Sequence, residues 1–134
     1  KERLNIGFSP KAADAHAQID ILLDTIPHCA GVTFSECLYM GIPAVTLRGR
    51  PAIGTLGSSM LTQVGHPEWI AEIEEDYVRI AYELASDIER LAHLRRNLRQ
   101  EMKRSPLMDG ASFARDFEQA CREMWAKWCA SGTA

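Results

Sequence analysis

No apolar run in these 134 residues approaches the ~18–20 residues needed to cross a bilayer, and no signal peptide is visible. A membrane span is therefore excluded as a reading. Cysteine is sparse: Cys29, Cys37, Cys121 and Cys129 form no Cys-x-x-Cys pair and no zinc-finger spacing. Buried thiols in a reducing cytoplasm are expected instead of a disulfide framework. Excess positive charge is lacking too, with 15 Lys and Arg against 18 Asp and Glu and a formal net charge of −3. Nothing in that balance favours a nucleic-acid partner. There is no repeat and no low-complexity tract.

What is present is an ordinary globular composition, 46% apolar and 25% charged. The length suits one domain over residues 1–134 with one core. The first residue is Lys1 rather than Met, and the chain starts almost inside a strand. The expectation is an excised piece of something longer.

Leu4 to Phe8 alternates like a short strand, and Lys11 to Gln18 reads as a short helix. "IDILLDT" (Ile19 to Thr25) is compact and apolar, as in a parallel strand covered by helices on both faces. Thr33 to Met40 predicts a helix with Thr33 as N-cap and Glu36 completing a capping box, stopped by Gly41. "PAVTL" (Pro43 to Leu47) is the next strand, followed by a loop and a helix from Ser58 to Val64 that Gly65 ends. A very short strand at Glu68 to Glu72 precedes a helix from Glu74 to Ala85. Asp87 caps another helix to about Lys103, with Ile88, Leu91, Leu94, Leu98 and Met102 on one face. A last helix, residues 111–129, carries the stripe Phe113, Phe117, Cys121, Met124, Trp125 and Trp128. Alternating short strands and helices predict an α/β fold, a Rossmann-like parallel sheet with flanking helices.

In such folds ligands sit beyond the carboxyl ends of the strands, where loops run into helix N-termini. The turn after "IDILLDT" is such a place, and Gly31 would let an anion come close to the backbone.

The stretch "LLDTIPHCAGVTFSECLYMGIPAVTL" resembles, without a gap, the pattern L-D-T-x-P-x-N-G-x-T-T-x-x-E-A-L-W-M-G-x-P-V-V-T-L. That pattern belongs to the C-terminal catalytic lobe of the O-linked N-acetylglucosamine transferases, glycosyltransferase family 41. The likeness continues through "GSSMLTQVGHPEWIAEIEEDYVRIAYELASDIERLAHLRRNLR" and closes on "SPLMDGASFARDFEQACREMW", so that it spans Phe8 to Trp128.

The resemblance implies the C-terminal lobe of a two-lobed GT-B enzyme that holds the UDP of UDP-N-acetylglucosamine. It places Gly31, Val32 and Thr33 at the diphosphate and Glu36 at the ribose hydroxyls. Lys11 and His16 are the only local candidates for the Lys and His that approach the uracil and phosphates. No metal or other cofactor is implied. The acceptor would be a protein Ser or Thr hydroxyl. The general base and most acceptor contacts would come from a missing N-terminal lobe, so no catalytic residue is named here and the isolated fragment is expected not to turn over.

Cys29-Ala30 stands where the family has Asn-Gly, Val32 where it has the first Thr, and Thr55 where an Arg is expected. The segment after "FSP" is about five residues short of the family's usual length. These departures keep two alternatives open: a degenerate, non-catalytic structural or interaction module, and another sugar-nucleotide enzyme of the same two-lobe architecture.

Plainer readings stand beside the functional ones. Thr33 and Glu36 could be only a capping box, Gly31 only a turn residue, Lys11 only a solvated lysine. His28, His66 and His93 read as solvent-facing, and His16 is undecided. The aromatic stripe of the last helix reads as packing, with part of it exposed where the helix would cross to the other lobe. The basic face of "RRNLRQEMKR" reads as solvated or as a partner contact. An unpaired strand edge at residues 4 to 8 would favour self-association.

Overall fold

The computed structural model describes residues 6, 7 and 9–132. Apart from Ile6 and Gly7, the expected first strand lies outside the described residues, as does any self-association through its edge. The elements run α1 (Ala12–His16), β1 (Leu22–Leu23), α2 (Val32–Tyr39), β2 (Ala44–Leu47), α3 (Leu56–Val64), β3 (Ile70–Ala71), α4 (Glu74–Ser86), α5 (Ile88–Arg104) and α6 (Gly110–Ala130). Single 3-10 turns occupy Ala52–Gly54, Pro67–Trp69 and Pro106–Met108.

The three strands form one parallel sheet in the order β1-β2-β3. Leu22 pairs with Ala44 and Leu23 with Val45; Thr46 pairs with Ile70 and Leu47 with Ala71. β2 is the central strand, and its Ala44, Val45 and Thr46 have no exposure at all. Helices α2, α3 and α4 pack on β2, and α5 packs on α2 and α4. Phe34 and Leu38 of α2, Leu61 of α3, Leu84 of α4 and Leu94, Leu98 and Met102 of α5 meet the strands in one core. Parallel strands need such cover, because their crossovers place helices over the faces of the sheet.

The helix ends follow local chemistry. Gly41 at φ 81° and Gly65 at φ 94° turn left-handed after α2 and α3, as the sequence predicts. Asp87 caps α5 by accepting the Arg90 N–H at 2.9 Å, also as predicted. Asp109 does the same for α6 from Ser112, at 3.0 Å.

Five expectations are corrected. Hydrogen-bonded strand in "IDILLDT" is confined to Leu22–Leu23, and Leu23 is 54% exposed, since β1 is the edge strand of the described sheet. The stripe of α6 is not part of this core: Phe113, Phe117, Met124, Trp125 and Trp128 are all at least half exposed, with Phe113 stacked on Phe117 and Trp125 on Trp128. Cys29 and Cys37 are buried thiols, but Cys121 is half-buried and Cys129 exposed because they ride on that helix. Burial pushes the Cys37 thiol above its ordinary value, which keeps it protonated and inert. His66 does not face solvent: it stacks on buried Trp69 at 3.9 Å and bridges Glu68 and Glu101 at 3.0 and 2.9 Å. The basic face of α5 is not merely solvated, because Arg99 Nε donates to the Tyr39 carbonyl at 2.7 Å. A cation at the C-terminal end of α2 is favoured by the helix dipole.

Candidate functional site

The loop from Thr25 to Gly31 leaves β1 and delivers the chain to the N-terminus of α2. Its anchor is Asp24, the last residue before it, which is 4% exposed. Asp24 Oδ1 accepts from the N–H of Thr25 at 3.0 Å and of Ala30 at 2.8 Å. Oδ2 accepts from the Thr46 hydroxyl of β2 at 2.7 Å. The Tyr77 hydroxyl of α4 donates to the Asp24 carbonyl at 2.8 Å. Burial, and then the Asp24 charge, push the Tyr77 phenol up to about 12. Within the loop, the Thr25 hydroxyl donates to the His28 carbonyl, and Cys29 is buried with its Sγ 4.0 Å from Thr46 Oγ1.

The expected capping box is absent. The N-cap is Gly31, α2 begins at Val32, and no side chain caps it. Thr33 is therefore the second helical residue, and Glu36 lies beyond the third, out of register for a reciprocal cap. Both side chains are exposed instead, and Val32 is 73% exposed. Among the described residues nothing accepts from the N–H groups of Gly31, Val32 or Thr33, the orphan donors of a helix start. Gly31 itself has φ −73°, and a Cβ there would meet only Leu56 Cδ1 at 3.8 Å. The chain's own packing does not demand glycine at this point.

Glu36 opens onto a cleft of about 380 Å³ whose walls also include His16, Ser35, Tyr39 and the three methionines Met40, Met102 and Met108. His16 is 5% exposed, and neither ring nitrogen has a hydrogen-bond partner among the described residues. Arg99 and Lys103 lie over the Tyr39 ring, 5.1 and 5.7 Å from its centroid. The structure thus brings His16 and Glu36 to one cleft and keeps Gly31, Val32 and Thr33 together at the helix start. Lys11 is exposed and lines no part of the cleft; its carbonyl accepts from the Ser9 hydroxyl at 2.8 Å. Among the described residues no three His, Cys, Asp or Glu side chains group as metal ligands, and no helix is long and apolar enough to cross a membrane.

Sequence reasoning missed Asp24, Thr46 and Tyr77, which hold the loop, and the methionine wall of the cleft. An acid ending an apolar strand was the one available signal for the first. Met40 lies far along the chain from Met102 and Met108, and no periodicity connects the three.

Residues 8–117 match the model of glycosyl transferase family 41. A probable UDP-N-acetylglucosamine–peptide N-acetylglucosaminyltransferase, SPINDLY, of Eustoma exaltatum subsp. russellianum is 44% identical over 115 residues, covering 86% of this chain and 12% of the relative. The Arabidopsis thaliana counterpart is 42% identical over 122 residues, 91% of this chain and 13% of the relative. The Caenorhabditis elegans UDP-N-acetylglucosamine–peptide N-acetylglucosaminyltransferase is 32% identical over 110 residues, 81% of this chain and 10% of the relative. A mutant O-GlcNAc transferase of Thermobaculum terrenum superposes with a TM-score of 0.80 at 36% identity, covering 93% of this chain and 24% of that one. The chain thus spans about an eighth of the length of the SPINDLY relatives.

Proposed function

Because this chain belongs to glycosyl transferase family 41, we propose that it forms the nucleotide-sugar-binding part of a protein O-N-acetylglucosaminyltransferase. The donor is UDP-N-acetylglucosamine and the acceptor a Ser or Thr hydroxyl of a protein. The observation that carries this reading is the loop Thr25–Gly31. It leaves the carboxyl end of a parallel strand and opens α2, where three consecutive N–H groups have no acceptor among the described residues. A diphosphate supplies what such a helix start favours, negative charge and oxygen acceptors.

In this assignment the amides of Gly31, Val32 and Thr33 and the Thr33 hydroxyl hold the diphosphate. Glu36 accepts from the ribose hydroxyls, and the base lies in the cleft beside His16. As the bond from the sugar to the diphosphate breaks, charge builds on the departing oxygen, and donors already aimed there stabilise that state more than the ground state. The proposal gives the donor site no metal and no cofactor, and gives Lys11 an electrostatic part only. The general base and the acceptor groove belong to a facing lobe, so this chain alone is expected to release no UDP. A cytoplasmic setting is part of the same proposal.

One observation favours a second reading, a non-catalytic module: Val32 sets an exposed isopropyl group at the helix start, where the family pattern has a hydroxyl. Calorimetric titration separates the readings. The donor-site reading expects UDP to bind more tightly than GDP or CDP, and Glu36→Gln to weaken UDP binding. Equal silence toward all three nucleotides, or a preference for a base other than uracil, contradicts it.

A further inference from the structure

We propose that Asp24 is the positioning residue of the donor loop: its buried carboxylate fixes the course of residues 25–30 and so aims the amides of Gly31, Val32 and Thr33. The inference rests on the donor-site reading for what those amides bind, but its geometry stands apart from that reading. One oxygen, Oδ1, takes N–H groups from the two ends of the loop, Thr25 and Ala30, and draws the intervening residues into a closed lasso. The other, Oδ2, takes the hydroxyl of Thr46 on the neighbouring strand, and the backbone carbonyl takes the Tyr77 hydroxyl of α4. The loop is therefore tied at one residue to β1, β2 and α4.

The carboxylate also sits against the start of α3. A Cβ on Gly57 would lie 2.7 Å from both Asp24 Oδ2 and Thr46 Oγ1. Space for the side chain exists because Gly57 has none of its own. No salt bridge reaches Asp24 among the described residues; three hydrogen-bond donors satisfy it instead. A buried carboxylate held only by directional bonds is sensitive to their geometry, and two of the three come from the loop. The Ala30 N–H is committed inward, and the next three amides, of Gly31, Val32 and Thr33, have no acceptor among the described residues. Loop preorganisation of this kind raises affinity by removing the entropy of ordering the loop on binding. Asp24 touches neither sugar nor phosphate in this role.

The test uses the full chain with two readouts, amide hydrogen exchange at Ala30 by NMR and UDP affinity by calorimetry. Asp24→Ala is expected to speed Ala30 exchange and weaken UDP roughly 10- to 100-fold, the effect of losing a charge-assisted anchor, while the Leu98 amide stays protected. Asp24→Asn keeps an acceptor for both loop amides and is expected to stay within about threefold of wild type on both readouts. Thr46→Val removes the Oδ2 bond, together with the 4.0 Å contact of that hydroxyl with Cys29 Sγ, while both loop amides keep Oδ1 as acceptor. It is expected to move both readouts in the direction of Asp24→Ala, which decides the matter if that variant does not fold. Wild-type Ala30 exchange in a folded Asp24→Ala or in Thr46→Val overturns the proposal, as does loss of UDP binding with Ala30 still protected. A wild-type chain that ignores UDP contradicts the donor-site reading, and the exchange comparison then decides Asp24 by itself.

Discussion

Gly41 and Arg95 meet backbone to backbone: a Cβ on Gly41 would lie 2.5 Å from the Arg95 carbonyl oxygen. That contact closes α2 onto α5, and Gly41 also holds a left-handed φ of 81° that only glycine adopts readily. Gly41→Ala combines a conformational penalty with overpacking against rigid backbone. A loss of roughly 2–5 kcal/mol is expected in urea unfolding. Gly65→Ala, with the same hand of backbone but nothing within 4 Å, is expected to lose clearly less. Equal losses would place the whole effect in φ and remove the α2–α5 contact from the explanation.

Tyr77 gives the fold a specific alkaline limit. Its phenol is raised in the folded chain to about 12 from an ordinary 10, first by burial and then by Asp24. The folded state thus keeps a proton that the unfolded state releases, so the stability it contributes is whole below pH 10 and falls between pH 10 and 12. Tyr77→Phe is expected to be less stable at pH 8, having lost a hydrogen bond to the Asp24 carbonyl, but to decline less steeply above pH 10. Parallel declines of the two proteins would contradict the assignment.

The stripe of α6 is expected to be silent in the stability of this chain. Phe117→Ala and Trp125→Ala remove side chains that are 61% and 65% exposed and lie outside the core cluster. Their unfolding free energies are expected within about 0.5 kcal/mol of wild type. Losses comparable to a core truncation, about 2–5 kcal/mol, would mean that α6 folds back on the core in solution.

Sequence periodicity made the elements legible and left their surroundings unread. Gly41, Gly65 and Asp87 act through short-range chemistry, and each ends or begins the helix the sequence predicts for it. The capping box failed by two residues, because Gly31 took the N-cap expected at Thr33 and α2 started at Val32. The Thr-x-x-Glu spacing of Thr33 and Glu36 is the same wherever the helix starts, so spacing alone could not say which residue takes the N-cap. The pattern on α6 likewise identifies an apolar face but not what that face touches, and His66 gives no sign in the sequence of its stacking on Trp69 or its reach to Glu101. In the candidate site the loop and α2 were legible because they are contiguous. Asp24, Thr46 and Tyr77 were not, since they converge from three elements through single hydrogen bonds.

The central claim, that the start of α2 and its neighbouring cleft hold a uridine diphosphate, is met most directly by titrating the chain with UDP and following amide shifts by NMR. Saturating shifts at Ala30 to Glu36, at His16 and in the Ser9–Lys11 turn, at millimolar UDP or below, are the expected result. Saturating shifts confined to α4 or α6, or no shifts at all, would contradict it.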